Sequence, residues 1–349
     1  MPRTPQHGFT RAGDLLPEIL PDGLSLSDAS VKAEPPPKKN IRISKRVAQR
    51  SSRLVAVRED REQGRPQHFG YLARPFILCG LPFKKPKKGV SYYKRQNGNE
   101  VLEIIAHPEH GLPFGMDVEV LIWTCILAKQ AMLSNNGKCP AVLEFASGAD
   151  FLKAFDLPLD GASYRRAVER FTRVVYATWY FGPASPTKKK LRLWSFRFFD
   201  RVNLWFDPEL HTPNLPGEDF KNNQLFLSPQ LQAEMERALP VIEMETLRAW
   251  ANNPTQVYFN IWLAWRCYDA KPGTKIPLSS VKDQCGFEGY DDPEDGAYNF
   301  RRKIKTLLNN ARLSWPACPV HLVAESHPRE DHLLIEQTGS PIRPRQRLS

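Results

Sequence analysis

Two segments of the chain, residues 162–176 and 294–313, each have the pattern of an amphipathic helix with a basic polar face. In both, apolar side chains recur every three or four residues, which places them in one stripe along a helix. The predicted stripes are Tyr164, Val168, Phe171, Val174 and Val175 in the first segment, and Phe300, Ile304, Leu307, Leu308 and Ala311 in the second. The opposite faces carry Arg165, Arg166, Arg170 and Arg173 in the first segment, and Arg301, Arg302, Lys305 and Asn309 in the second. Such a helix buries its stripe against neighbouring elements and turns its cationic face toward solvent or an acidic partner.

Both basic helices stand at the same place in a repeated order of predicted elements. A long apolar helix, a short capped helix and a tight turn come before each of them, and a strand–loop–strand follows. The preceding elements are helices 113–133 and 149–155 with a turn at 157–161 in the first half, and helices 255–270 and 281–285 with a turn at 286–289 in the second. The halves share no fixed-period identity, so the repetition is architectural. It predicts an α+β fold with two tandem winged-helix (helix-turn-helix) domains.

This architecture predicts contact with duplex DNA. A helix-turn-helix places its second helix in the major groove, where arginine pairs with guanine and asparagine with adenine. A wing loop contacts phosphate, and Lys188, Lys189 and Lys190 fall at that position in the first half. The alternatives are a solvated helix face with ion pairs, and a flexible surface loop for the lysines. Because the pattern occurs twice, it favours DNA binding.

Other local features carry narrower predictions. Asn97-Gly98 between two strand-like runs predicts a β-hairpin. The helix at 255–270 is apolar nearly all round, so we expect it to be central. The cluster Lys84-Lys85-Pro86-Lys87-Lys88 either contacts phosphate or makes a loop soluble, and the sequence favours neither.

The N-terminal residues differ in composition from the rest of the chain. Residues 1–65 are rich in proline and charge and hold few large apolar residues, so we expect a disordered arm. Its basic stretch at 38–53 either contacts phosphate or is a solvated tail. The predicted divisions are this arm at 1–65, a first winged-helix domain at 66–238, a second at 239–338 and a flexible tail at 339–349.

Charge and hydropathy narrow the class of protein. The chain has 349 residues and a formal net charge of +11, which favours acidic partners without identifying them. No run approaches the roughly 18 apolar residues of a membrane span, and the N-terminus lacks the apolar core of a secretory signal. We therefore expect a cytoplasmic protein without a membrane partner. The six cysteines show no C-x-x-C spacing and are expected to be buried, reduced thiols.

Catalytic motifs are missing from the sequence. It contains no G-x-x-x-x-G-K-[ST], no G-x-S-x-G and no H-E-x-x-H. His107 and His110 form a predicted loop pair, because Pro108 interrupts any regular helix there. The His-hydrophobic-His motif of a nicking enzyme is also absent. We expect no catalytic residue, no metal and no cofactor, and a protein that is not an enzyme.

Two segments carry a family resemblance. They are GLPFG at 111–115 with the apolar helix after it, and 145–182 with a Phe-Leu-x-x-Phe-x-Leu helix, a glycine turn and a basic helix. Both resemble plasmid-encoded RepA-type replication initiators, over roughly residues 70–335 in all. The resemblance implies tandem winged helices that bind repeated sites in double-stranded origin DNA, open A·T-rich DNA nearby and recruit host replication proteins such as a helicase or initiator. It also implies that the first winged helix can mediate a homodimer. The arm at 1–65 is not part of the family pattern, so its role stays open.

Three functions follow from these observations. The first is a plasmid replication initiator. The second is a winged-helix transcriptional regulator or autorepressor, which needs the same helices, and the third is a DNA nicking or recombination enzyme with a dispersed active site. An initiator gene should maintain a replicon that lacks its own initiator, and nicking of origin DNA with Mg²⁺ would identify the enzyme.

Overall fold

The computed structural model describes residues 45–65, 68–183, 194–204, 223–237, 239–292 and 295–339. All of them belong to one compact unit, Ser44–Ser349. Within these ranges the chain forms a mixed α+β fold of helices and small antiparallel sheets. None of the helices in these ranges is both long and apolar enough to span a lipid bilayer.

The elements are numbered in chain order. The helices are α1 (Lys45–Glu62), α2 (Arg74–Leu78), α3 (Val118–Ser134), α4 (Gly148–Ala154), α5 (Gly161–Tyr176), α6 (Pro229–Met235), α7 (Met244–Ala249), α8 (Pro254–Asp269), α9 (Leu278–Cys285) and α10 (Gly296–Ser314). The strands are β1 (Phe69–Tyr71), β2 (Tyr92–Asn97), β3 (Glu100–Ile105), β4 (Val142–Phe145), β5 (Thr178–Pro183), β6 (Trp194–Arg197), β7 (Phe199–Asn203), β8 (Asn223–Leu227), β9 (Val241–Glu243), β10 (Thr274–Pro277), β11 (Val320–Val323) and β12 (His332–Ile335).

The two halves of the fold repeat one arrangement of three strands. The strand order is β4–β8–β7 in the first half and β10–β12–β11 in the second. In each sheet, the strand that precedes the helix pair lies beside the last strand of the half. The helices also follow the same order, with α3, α4 and α5 matching α8, α9 and α10. The order of elements predicted from the sequence is therefore confirmed in both halves.

The first half contains an additional four-stranded sheet in the order β2–β3–β5–β6. Its hairpin β2–β3 pairs Asn97 with Glu100 across the turn, and Gly98 has a φ of 59°. Glycine adopts this left-handed conformation without the steric penalty of a side chain, which is why Asn-Gly marks such turns. The predicted hairpin is confirmed.

Helix α8 packs into both hydrophobic clusters of the unit. Val257, Tyr258 and Ile261 belong to the cluster of the first half, whereas Phe259 and Trp262 belong to that of the second. All five side chains are buried, so the expected central position of this helix is confirmed. The first cluster also includes side chains of α7 and therefore extends past residue 238, where the sequence placed a domain boundary.

Helix α1 corrects the prediction of a disordered arm at residues 1–65. Leu54 and Val57 are buried, and α1 packs against α7 and α10. The Nε of Arg61 donates to Oε1 of the buried Glu243 at 2.8 Å. These contacts depend on the folded positions of α7 and α10. The composition of residues 45–62 alone therefore could not predict that they form a packed helix. Residues 1–44 lie outside the described residues, as does most of the predicted C-terminal tail.

A buried arginine joins the two halves. Arg95 in β2 is 5% exposed, and its Nη1 donates to the carbonyl oxygen of Cys285 at the end of α9, at 2.7 Å. Its guanidinium group also lies over the ring of Tyr93, 5.2 Å from the centroid. Gly286 follows α9 with a φ of 68°, and its missing side chain leaves the space that the guanidinium group fills. The hairpin of the first half thereby contacts the turn between α9 and α10.

Candidate nucleic-acid interface

The turn between α4 and α5 is built by local capping and aromatic packing. The Asp160 carboxylate accepts a hydrogen bond from the backbone N–H of Ser163 at 2.7 Å, which caps α5 and lowers the pKa of Asp160. The Phe151 ring of α4 packs edge-on against Phe171 of α5, with centroids 5.1 Å apart. The cap and the ring contact hold α5 at a defined angle to α4.

The first turns of α5 present the exposed part of its basic face. Arg165 and Arg166 are exposed, whereas Ala167, Phe171 and Val174 are buried. The Nη2 of Arg166 donates to the Ser163 hydroxyl at 3.0 Å, which keeps that side chain near the start of the helix. Both side chains are therefore exposed in the second turn of α5.

Arg170 and Arg173 do not share that position, which revises the interface predicted for α5. Arg173 binds Asp117 through two hydrogen bonds, Nε to Oδ2 at 2.7 Å and Nη2 to Oδ1 at 2.8 Å. Arg170 forms an ion pair with Glu119 at the start of α3. Both carboxylates are buried, at 2% and 0% exposure, and a buried carboxylate requires a paired cation. The two arginines therefore hold α5 against α3.

Burial dominates the protonation of these carboxyl groups. It raises the pKa of Glu119 to about 7, although the charge of Arg170 acts in the opposite direction. It also raises the pKa of Asp117 against the effect of Arg173. Each charged pair forms despite the free-energy cost of removing its carboxylate from water. Removal of either arginine would therefore leave a buried carboxyl group without a cation to compensate its charge.

Helix α10 presents a longer exposed row. Arg302, Lys305 and Asn309 are exposed, and their spacing places them on one face of the helix. The opposite face is buried, with Phe300, Ile304, Leu307, Leu308 and Ala311 in the second hydrophobic cluster. The predicted stripe and the predicted polar face therefore agree with the structure at these positions.

Arg301 differs from its neighbours on α10. Its Nη2 donates to Oδ1 of the buried Asp331 at 2.6 Å and to the carbonyl oxygen of Glu325 at 3.1 Å. Asp331 also accepts from the backbone N–H of Glu325 at 2.9 Å. Arg301 therefore ties α10 to the loop between β11 and β12, and this contact competes with the predicted contact to DNA.

The loop between β11 and β12 joins the two paired strands that follow α10 in the second half. Arg329 is exposed in this loop and was not among the predicted interface residues. Its position between two strand-like runs of the sequence could have identified it as a candidate. In the first half, Lys188, Lys189 and Lys190 lie outside the described residues, so their wing role stays a prediction. The strands on either side of them, β5 and β6, pair in the four-stranded sheet and not in the sheet β4–β8–β7.

Two histidines and the six cysteines are side chains with possible metal-binding or nucleophilic chemistry. His107, Glu109 and His110 have donor atoms within 4.8 Å of one another, and both imidazole rings also pack against Tyr176 at the end of α5, with centroids 5.3 and 4.4 Å away. This aromatic contact accounts for the pair of rings. The six cysteines are buried and unpaired, as expected, and burial raises the pKa of Cys79 and Cys285 to about 12. Thiols of this kind are poor nucleophiles.

Comparisons with known proteins gave matches in structure only. No family model and no curated protein matches the chain. The fold is similar to a crystal structure of domains 2 and 3 of RctB as a selenomethionine derivative, with 13% sequence identity and a TM-score of 0.48, covering 75% of this chain and 97% of that one. A second crystal structure of RctB domains 2–3 matches with 11% identity and a TM-score of 0.40, covering 75% of this chain and 96% of that one.

Proposed function

We propose that this protein binds double-stranded DNA sequence-specifically through α5 and α10, each acting as the second helix of a winged helix. The observation that carries the proposal is the repetition of one arrangement. In both halves a short helix precedes a helix with exposed basic residues, and one strand before this helix pair joins two strands after it in a three-stranded sheet of the same order. A single basic helix is commonly a solvated surface, but the repetition of the whole unit favours a shared partner surface.

Three exposed arginines occupy the turns that a groove-binding helix uses. In a helix-turn-helix the residues near the N-terminus of the second helix contact base edges. Arg165 and Arg166 lie in the second turn of α5, and Arg302 lies in the second turn of α10. Arginine can bind guanine through two hydrogen bonds, and Asn309 offers the amide that suits adenine. The exposed part of each basic face therefore has the chemistry that base recognition needs.

We further propose that the DNA target is a set of repeated origin sites and that the protein initiates plasmid replication without nucleotide or cofactor chemistry of its own. This part rests on the resemblance of segments 111–115 and 145–182 to RepA-type initiators. Host replication proteins would then be recruited to the bound origin, where A·T-rich DNA separates most readily. A transcriptional regulator would use the same helices and is distinguished by genetics.

The DNA-binding proposal is tested by footprinting on the DNA that flanks the gene. Arg165→Ala with Arg166→Ala, and separately Arg302→Ala with Lys305→Ala, should each weaken specific binding by about 10- to 100-fold, because a base contact contributes about 1–3 kcal/mol. Circular dichroism should show an intact fold. Arg58→Ala with Lys138→Ala removes the same charge from α1 and from the loop after α3, and should change affinity less than about twofold. If the variant of one helix gives the wild-type footprint, that helix does not contact the DNA.

The replication proposal needs a separate assay. A plasmid that carries the flanking DNA but no initiator gene should persist in cells that supply the wild-type chain, and should be lost with the Arg165→Ala, Arg166→Ala variant. Intact DNA binding without plasmid maintenance would favour the regulator. Incubation of purified protein with the same DNA and Mg²⁺ should leave the strands uncut, and nicking or covalent attachment would contradict the proposal that the protein is not an enzyme.

A further inference from the structure

The lysine loop, residues 84–88, begins at a rigid anchor between the two halves. The backbone N–H of Leu81 donates to the hydroxyl of Tyr258 in α8 at 3.1 Å. The ring of Phe83 then packs between Tyr258 and Phe287, with centroids 5.6 and 5.4 Å away. The carbonyl oxygen of Pro82 accepts from the N–H of Gly115 at 2.7 Å. The residues before the lysines therefore have a fixed position, although they precede the second half by about 170 residues in sequence.

This anchor brings the lysine loop to the side of α10. Phe287, which contacts Phe83, also packs against Phe300 of α10, with centroids 5.2 Å apart. On the same helix, Lys303 is half-buried, and burial together with the positive charge of Lys84 lowers the pKa of Lys303. The exposed lysines of the loop are Lys84, Lys85, Lys87 and Lys88.

The lysine loop and the β11–β12 loop lie on opposite flanks of α10. Successive residues of a helix are rotated by about 100° around its axis. Arg301 and Lys303 are therefore about 200° apart, counted through Arg302, and leave the helix in nearly opposite directions. Arg301 contacts Glu325 and Asp331 of the β11–β12 loop, whereas the charge of Lys303 interacts with that of Lys84. Phe300, next to Arg301, reaches the start of the lysine loop through Phe287 and Phe83. The exposed row of α10 is therefore bordered by one loop on each side.

We propose that the lysine loop of the first half binds DNA phosphate beside α10, on the flank opposite the β11–β12 loop. This inference rests on the proposed function of α10. A helix in the major groove has a phosphate backbone on each side, and a wing covers only one of them. Four exposed lysines at five positions also repel one another, and a polyanion relieves that repulsion. The loop thus adds a phosphate contact from the first half to the DNA-binding surface of the second half.

The salt dependence of DNA affinity tests this inference. Lys84→Gln with Lys85→Gln removes two positive charges, keeps polar side chains and leaves the Phe83 anchor intact. Each lost phosphate contact should reduce the slope of log affinity against log salt by about 0.9, so the variant should lose about 1–2 from the slope. The ratio of affinities for the footprinted site and for unrelated duplex DNA should stay within about twofold, because phosphate contacts carry no sequence information.

Two comparisons separate the possible failures. Arg58→Gln with Lys138→Gln removes the same charge elsewhere and should leave the slope unchanged. If the wild-type chain binds the footprinted site and the Lys84→Gln, Lys85→Gln variant has the slope of this control, the lysine loop does not contact phosphate and only the present inference is overturned. If the wild-type chain shows no sequence preference and no salt-dependent binding, the proposed function itself is wrong and the inference falls with it.

Discussion

Arg95→Ala removes the contact by which the β2–β3 hairpin holds the end of α9. The guanidinium group donates to the carbonyl oxygen of Cys285 at 2.7 Å, and that carbonyl lies at the negative end of the helix dipole. A hydrogen bond that involves a charged group contributes about 1.5–3 kcal/mol to stability. The contact with the Tyr93 ring adds about 0.5–1 kcal/mol. We therefore expect Arg95→Ala to lower the free energy of unfolding by about 3 kcal/mol.

Urea denaturation, followed by tryptophan fluorescence and by circular dichroism on the same samples, measures this loss. Lys94→Ala is the matched control, because Lys94 is the neighbouring cation of the same strand but has a side chain that is 50% exposed. Its ion pair with Glu103, at 3.0 Å, is screened by solvent and should contribute little to stability. If Arg95→Ala loses no more stability than Lys94→Ala, the argument that Arg95 joins the two halves is refuted.

Two further predictions concern buried groups. A Cβ at Gly286 would lie 1.6 Å from the Arg95 guanidinium group, so Gly286→Ala should destabilise the wild type strongly, but should cost only about 1–2 kcal/mol of left-handed strain in the Arg95→Ala background. A double-mutant cycle in urea measures this coupling, and additive losses would contradict the geometry. Burial raises the pKa of Glu119 from 4.5 to about 7. Between these two pH values the folded chain binds more protons than the unfolded chain, so the free energy of unfolding falls by up to about 3 kcal/mol as the pH rises. The Tm of Glu119→Gln relative to wild type should therefore increase from pH 5 to pH 8, and a difference that does not vary with pH would contradict the prediction.

Helical periodicity predicted α10 more accurately than α5. In α10 the predicted stripe, which includes Phe300, Ile304 and Leu308, is buried throughout. In α5 the prediction placed Val168 in the stripe, but Val168 is 42% exposed and the small side chain of Ala167 is buried in its place. Close packing of α5 against its neighbours accommodates the smaller side chain. Hydrophobicity alone therefore identified the helix but misplaced part of its buried face.

Partners distant in sequence explain what periodicity could not predict. Arg170 and Arg173 pair with carboxylates that precede them by 51 and 56 residues, at the start of α3. A periodic pattern identifies the polar face of a helix but not the element that packs opposite it. One signal was available, because Asp117 and Glu119 begin an otherwise apolar helix. Carboxylates that are drawn into an apolar core require a cation, and basic helices are the natural source.

The arginines of α5 and α10 show why residue type alone does not identify a DNA-reading residue. Arg173 and Arg301 each use Nε and Nη2 to bind both oxygens of one buried carboxylate. The same planar fork of donors binds the two acceptors of guanine, so arginine fits either partner. Which partner it takes depends on whether a buried acid lies within reach. If α5 and α10 enter the groove as proposed, the paired arginines orient the helices before DNA arrives, and Arg165, Arg166 and Arg302 are left for the bases. A helix fixed in this way loses less conformational freedom on binding, which favours affinity and specificity together.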